Sequence, residues 1–322
     1  MQIGSVKSEP GKISTGFVQL AEYADGPISA PVMVAQGAKP GPRLYIQCLV
    51  HGPEIVGPIS AARFLRALDL SQLSGAITVL LTANPFGSRA RNRLTPEDGA
   101  NLNRVFPGSP DGAVSEQLAH RLLELADQNG DVLLDLHSGG DLTITAFYAI
   151  HDKSDSPASI ESARLVAATG SRYQWASTES WMKGSAITNY TRRYNKPALI
   201  VESGGGARVT DADFANFQRA LNGVTRAMGM LPGPVEEATD IRRGGNAVHV
   251  KCTRGGYWHP AVQPGEDIVN GQLMGTIVNA FGETVEEVRC SVDKAWVGSI
   301  RRPFMPLHNG DQVMEVVASL PL

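Results

Sequence analysis

An α/β fold, with a mixed, mostly parallel sheet flanked by helices and a small all-β C-terminal domain, is predicted by three observations. Strand-length apolar runs alternate with helix-period segments from residue 44 to 230, the pattern that builds a two-sided sheet with crossover helices. Three of the predicted strands end in His51, His137 and Glu202, the carboxyl ends where ligands collect in such sheets. Beyond the Leu231–Gly245 linker, short β-like runs are broken by glycines and no helical period remains. The expected boundaries are an α/β domain over residues 1–235 and a β-sandwich or barrel-like domain over residues 236–322.

Composition narrows the partners. The chain has 322 residues, 42% hydrophobic and 19% charged, with a net charge of -3, so no basic surplus points to nucleic acid. Cys48, Cys252 and Cys290 are scattered and match neither a zinc ribbon nor a disulfide framework. Met1 to Lys12 is polar, and no apolar run reaches the ~18 residues a membrane helix needs. A soluble, cytoplasmic protein with no membrane partner is expected; a homo-oligomer is left open.

Ile13 to Leu20 and Ile28 to Val34 alternate apolar with polar or small residues and predict an antiparallel pair. Leu44 to Val50 is an apolar strand that stops at His51-Gly-Pro-Glu54. Ile55 to Leu68 predicts a helix with Ile55, Ile59, Ala62 and Leu65 on its inner side. A strand at Gly75 to Leu81 leads into an irregular segment from Asn84 to Gly112, rich in arginine and asparagine but anchored by Leu94, Leu102, Val105 and Phe106. Loops of this length are uncommon and often functional. Gly112 to Asp127 is an amphipathic helix; Asp131 to His137 and Leu142 to Ile150 are strands. Ser159 to Thr169 and Ser185 to Tyr194 read as helices around an undecided stretch, Ser171 to Gly184. Pro197 to Val201 is a strand ending at Glu202, and a helix capped by Asp211 runs to Met228. In the tail, Val262-Gln-Pro-Gly-Glu and Leu307-His-Asn-Gly-Asp look like two copies of one turn, which suits a small β-sandwich. Lys294 reads as a structural lysine, because the flanking methionines of a carrier lysine are missing.

The strand ends carry the chemistry. His51, Glu54 and His137 around one ion would give two imidazoles and a carboxylate with a fourth position open, as hydrolytic zinc sites require. Such a pair as His51 and Glu54 is by itself more often a polar surface turn. Glu202, beside glycines that admit a substrate, is the candidate proton shuttle; otherwise it is a capping carboxylate. Asp135 shares a strand face with His137 and would either orient the imidazole or pair with an arginine. Arg93, Asn103 and Arg104 supply donors for a substrate carboxylate or a developing oxyanion, whereas Arg89 and Arg91 read as surface residues.

The ordered set His51-Gly-Pro-Glu54, Asn84-Pro85, Arg93, Asp98-Gly-Ala-Asn-Leu-Asn-Arg104-Val-Phe-Pro-Gly108, Asp135-Leu-His137-Ser and Glu202-Ser-Gly resembles the succinylglutamate desuccinylase/aspartoacylase family, relatives of the zinc carboxypeptidases. The resemblance covers about residues 44 to 205. It implies one zinc ion per chain on His51, Glu54 and His137, with Glu202 as general base and acid. It also implies that Arg93 polarises the scissile carbonyl while Asn103 and Arg104 grip a substrate carboxylate. The expected reaction is removal of an acyl group from a small N-acyl amino acid or related N-acylated amine; the alternative is a metallocarboxypeptidase acting on peptides. A non-catalytic binding protein would need a defective site, and this set is complete. Pro53 departs from the polar residue more usual there, and Tyr257 is the candidate for the family's tyrosine. The Asn-Leu-Asn-Arg segment looks closer to the bacterial deacylases of the family than to aspartoacylase.

Overall fold

The computed structural model describes residues 1–320. Strands β1 (Gln2–Ile3) and β2 (Val6–Lys7) make a small hairpin, and β3 (Lys12–Tyr23) and β4 (Gly26–Gln36) form the expected antiparallel pair. The alternating core follows: β5 (Lys39–Cys48), α1 (Val56–Ala67), β6 (Ser74–Leu80), α2 (Pro85–Ala90), α3 (Val114–Asn129), β7 (Val132–His137), β8 (Thr143–Asp152), α4 (Pro157–Ala168), β9 (Tyr173–Ser177), α5 (Ala186–Tyr194), β10 (Ala198–Gly205) and α6 (Asp211–Ala227). The tail adds β11 (Arg242–Lys251), β12 (Gly256–Pro260), β13 (Asp267–Val269), β14 (Leu273–Val278), β15 (Thr284–Arg289), β16 (Lys294–Arg301), β17 (Pro306–Leu307) and β18 (Gln312–Ser319).

The main sheet has twelve strands in the order β13-β16-β18-β11-β9-β8-β10-β7-β5-β6-β4-β3. Five of its bonded pairs are parallel and seven antiparallel. The expected mixed sheet is found, but the parallel majority is corrected: antiparallel pairs predominate. Its parallel centre, β10-β7-β5-β6, is flanked by the N-terminal pair on one side and, on the other, by β8 and β9 followed by tail strands. Local periodicity revealed the crossover units but not the tail strands that join the same sheet, because such pairing is set by residues far apart in sequence.

Alternation along the central strands explains how the sheet is buried on both faces. Leu44, Ile46, Leu134, Leu136, Leu199 and Val201 point into a core shared with α1, α4 and α6. Tyr45, Leu133, Ala198 and Ile200 point the other way, into a core shared with α3 and α5. Side chains two apart share a face, so Asp135, His137 and Glu202 continue the second set and open onto that side. Within α1 the inner face is Val56, Ser60, Ala61, Phe64 and Leu65, while Ile55 and Ile59 are exposed. The predicted face was thus rotated: the helix needs its Phe64 stripe against the sheet, and the turn at Glu54 sets the phase. The cap of α6 is Thr210 rather than Asp211: its hydroxyl accepts from the Asp213 N–H, and the Asp213 carboxylate accepts the Thr210 N–H.

The two turn copies in the tail are the same device. In each, the fourth residue donates its N–H to the first carbonyl (Glu266 to Gln263, Asp311 to His308), and its carboxylate accepts the N–H of the first. Gly265 and Gly310 take φ of 84° and 89° at the third position, a conformation in which a Cβ is strained. The turns feed β13 and β18, whose apolar side chains close a core with Trp258, Met274, Ile277 and Val288 of a four-stranded sheet, β15-β14-β12-β17. Trp296 of β16 and Val317 of β18 instead enter the central core, where Trp296 packs on Tyr148 and Tyr173. Those aromatics bind the tail strands to the α/β part and set them against the open side of the sheet. No helix among the described residues is long and apolar enough to cross a membrane.

Candidate functional site

Backbone strain delivers the first histidine. β5 ends at Cys48, and Leu49 takes φ of 55°, a left-handed conformation that costs a non-glycine residue on the order of 1–3 kcal/mol. The bend is held by Ala83 and Asn84, whose N–H groups donate to the Cys48 and Leu49 carbonyls at 2.8 and 2.9 Å. Gly52 follows, where a Cβ would stand 2.1 Å from the Gly87 carbonyl oxygen; only glycine lets α2 lie so close. Pro53 sits inside the tight turn in which the Glu54 N–H donates to the His51 carbonyl, so it stiffens the turn without offering a side-chain donor.

His51, Glu54 and His137, expected to meet from separate strand ends, do meet. One donor atom from each lies within 4.8 Å of the others, and all three residues are buried. His51 Nδ1 is 2.7 Å from Glu54 Oε1, and His137 Nδ1 is 2.8 Å from Glu54 Oε2. The far side of each ring is occupied. His51 Nε2 stands 3.0 Å from Asn101 Oδ1, and His137 Nε2 stands 3.0 Å from Asp135 Oδ2, an ion-pair contact rather than an aligned hydrogen bond. An amide oxygen behind one ring and a carboxylate behind the other would each favour a proton on Nε2 once a cation takes the Nδ1 side. Two converging imidazole nitrogens and a carboxylate, withdrawn from water, with an amide oxygen behind one ring and a carboxylate behind the other, fit a metal of the zinc type. Asp135 was a sequence candidate for this supporting role; Asn101 was missed, although it lies in the same Asn-Leu-Asn-Arg run and its side chain also accepts the Asn103 N–H.

Electrostatics separate the three groups. Burial, then the Arg93 charge, drops the His51 imidazole to about 4 from its ordinary 6.5. Burial pulls His137 down too, but the Asp135 and Glu54 carboxylates outweigh it and hold that ring well above the usual range. Burial would raise Glu54, yet the two histidines keep its carboxyl well below 4.5.

Glu202 stands opposite His137 in the parallel register of β10 and β7, and opposite Tyr148 in β8. Burial, reinforced by the Glu54 charge, pushes its carboxyl up to about 8, and its Oε2 has no protein hydrogen-bond partner. Just beyond it the β10–β8 register slips, and Gly205 takes φ of 113° with its Cα side against the Thr143 carbonyl and Gly139. Arg93 Nη1 donates to Glu54 Oε1 at 3.0 Å, from a side chain that is otherwise 44% exposed and so free to reach toward the cavity. Asn103 is buried, and its side-chain oxygen accepts the Ala186 N–H at the start of α5, which leaves only its amide N–H groups to offer a ligand. Arg104 stacks over Trp181 at 4.7 Å; partial burial and the neighbouring Arg93 lower its guanidinium to about 10.

These groups line one cavity of about 430 Å³. The rest of its wall includes Tyr148 and Trp181 from the α/β part and, from tail strands that no local sequence pattern placed here, His249, Arg301 and Glu315. Tyr257 lies outside it, 43% exposed on β12, and does not fill the place of a site tyrosine.

The comparisons with known proteins give the family. The profile of the succinylglutamate desuccinylase/aspartoacylase catalytic domain matches residues 40–228, the span that holds every strand end of the site. The chain is 27% identical to an N-alpha-acetyl-L-2,4-diaminobutyric acid deacetylase of Halomonas elongata, over 98% of this chain and 95% of that one. Among solved structures, the product-bound ectoine utilization protein EutE (DoeB) of Ruegeria pomeroyi superposes with a TM-score of 0.85 at 21% identity, covering 99% of this chain and 100% of that one. An aspartoacylase family protein from Mesorhizobium loti gives 0.80 at 26% identity, covering 98% and 96%. With the motif order, the strand-end cluster and a profile match over more than half its length all pointing one way, this chain belongs to the succinylglutamate desuccinylase/aspartoacylase family.

Proposed function

We propose that the chain is a cytoplasmic, zinc-dependent amidohydrolase that removes the acyl group from a small N-acyl amino acid. Residues 1–235 carry the reacting groups, and residues 236–322 wall the pocket. The observation that carries the reading is the convergence of the His51 and His137 Nδ1 atoms on the Glu54 carboxylate, with Glu202 one strand away. When bound there, zinc would supply Lewis acidity and bring the pKa of water toward 7. Glu202 takes the proton from the attacking water, since its Oε2 has no other partner and its affinity for a proton is tuned near neutrality. It later hands that proton to the leaving amine. Arg93 donates to the carbonyl oxygen as charge builds on it, and Arg104 with the Asn103 amide holds the substrate carboxylate. The named activity of the Halomonas elongata relative supports an N-acetylated amino acid as substrate. A cavity of about 430 Å³ lies at the small end of the roughly 300–1,000 Å³ typical of ligand pockets, which favours such a molecule over a peptide.

The test couples metal analysis of the purified protein to hydrolysis of N-acetyl, N-formyl and N-succinyl amino acids beside a peptide panel. One zinc per chain with turnover of an N-acyl amino acid supports the reading; turnover of peptides alone replaces it with the carboxypeptidase. Arg93→Ala is expected to keep its metal and lose about 100- to 1,000-fold in kcat, the usual cost of an oxyanion donor. Metal content and single-turnover rates measured together check this, and a variant as fast as the parent removes Arg93 from the reaction.

A further inference from the structure

Beneath the His51–Glu54–His137 cluster, two buried polar side chains lack hydrogen-bond partners, and they are neighbours. Gln47 of β5 is 1% exposed, and its Nε2 donates to no acceptor among the described residues. Asp135 of β7 is fully buried, and neither carboxylate oxygen has an aligned hydrogen bond. Its Oδ2 stands 3.0 Å from His137 Nε2, which leaves Oδ1 bare.

The register of the sheet decides what each group can reach. Gln47 is directly opposite Asp135 in the parallel pair β5–β7, and the period of two puts both side chains on the face that carries His137. Around Asp135 on that face lie Leu133 and His137 of its own strand, Ile200 of β10 and Gln47 of β5. Leu133 and Ile200 are hydrocarbon and His137 sits at Oδ2, so Gln47 is the one donor in the sheet left for Oδ1. From the other direction the answer is the same. On its far side Gln47 has Leu80 of β6, so Asp135 is its one acidic neighbour across the strands. Strands about 4.8 Å apart bring an amide arm and a carboxylate within reach of each other. A buried carboxylate short of donors is costly, and so is a buried amide N–H without an acceptor; a turn of the Gln47 amide relieves both.

We propose that Gln47 is a positioning residue for the metal centre: its amide donates to Asp135 Oδ1 and so holds Oδ2 on the outer nitrogen of His137, with Nδ1 of that ring aimed at the cation. A carboxylate held at one oxygen turns readily about its Cβ–Cγ bond, a broad torsion, and a second bond at Oδ1 locks it. Gln47 touches neither metal nor substrate; it acts through Asp135, and Asp135 acts through His137. The inference rests on the reading of His51, Glu54 and His137 as metal ligands and extends that reading outward by one residue. Partners directly behind a ligand typically contribute about 10- to 100-fold to metal affinity, and for Gln47, one step further back, about tenfold is expected.

The experiment measures zinc affinity, by competition with a chelator, for the parent, Gln47→Met, Asp135→Leu and the double variant. Methionine keeps the length of the side chain and removes the donor. Gln47→Met is expected to weaken zinc about tenfold against the parent, but by less than about twofold in the Asp135→Leu background, where the acceptor it works through is gone. Equal losses in both backgrounds, or none in either, overturn the inference, because a residue that only fills space costs the same with or without Asp135. A crystal structure of the zinc-loaded parent decides even where a variant fails to fold. Gln47 Nε2 within about 3.2 Å of Asp135 Oδ1 supports the assignment, and an amide turned away from Asp135 overturns it while the metal site stands. Zinc bound elsewhere than on His51, Glu54 and His137 takes down the ligand reading and this inference together.

Discussion

Glutamine in place of Glu202 is expected to lower kcat by about three orders of magnitude or more, and to make the metal-free protein more stable at pH 8. The rate effect follows from two proton transfers assigned to one carboxylate, where a single general base contributes typically 10²- to 10⁴-fold. The stability effect has the opposite sign for the same reason. In the fold, burial drives this carboxyl to about 8 from an ordinary 4.5. Between those values the native state keeps a proton that the unfolded chain has released, so the wild type loses stability as pH rises through the window. Glutamine carries no charge and escapes that loss. The gap between variant and wild type should be near zero at pH 4.5 and grow to the order of a few kcal/mol by pH 8. Thermal melts of chelator-treated protein at the two pH values read it directly. A gap equal at both pH values would refute the burial argument, and a variant within tenfold of wild-type turnover would remove Glu202 from the chemistry.

Such a trade of stability for rate is also what makes candidate site residues legible in a sequence. Residues kept at a cost stand out against the local pattern: a histidine closing the apolar run Leu44–Val50, another closing Val132–Leu136, and a glutamate closing Ala198–Val201. Parallel strands place such ends together, and the register does bring Glu202 beside His137. The period of two also put Asp135 on the His137 side. What stayed hidden depends on contacts distant in sequence. Asn101 supports His51 across fifty positions, and Tyr148 faces Glu202 only because β8 runs antiparallel to β10. His249 and Glu315 reach the cavity because β11 and β18 extend the main sheet, a pairing that no local pattern in the tail encodes. The irregular segment from Asn84 to Gly112 was legible as functional but not as structure. Its order comes from side chains that replace regular backbone bonding, such as Asn84 accepting the Gly87 N–H and Asp98 accepting from Ser115.

Adding zinc to the metal-free protein is expected to release about one proton per site near neutral pH and to raise the melting temperature by several degrees; Glu54→Gln should lose both responses. The proposed ligands differ in readiness. His51, lowered to about 4 chiefly by burial, is neutral at pH 7, and Glu54 is ionised because the two histidines hold it well below 4.5. His137 is the exception, since the carboxylates of Asp135 and Glu54 keep it protonated above its usual range in spite of burial. A group raised in this way stabilises the fold below the ordinary histidine value, about 6.5, and that contribution is lost as pH rises through its folded value. A cation must displace the same proton, so affinity should climb by up to about tenfold per pH unit until His137 titrates. At a thousandfold excess over Kd the ion contributes about 4 kcal/mol to stability. Calorimetric titration in two buffers of different ionisation enthalpy counts the proton. In Glu54→Gln one charged ligand is gone, and the pull that protonates His137 weakens with it. Affinity should then fall by more than the roughly 10- to 100-fold typical of losing a mere supporting partner. Heats independent of buffer would mean that His137 is already neutral before metal arrives. Undiminished binding in Glu54→Gln would place the cation elsewhere and leave Glu202 with no activated water to serve.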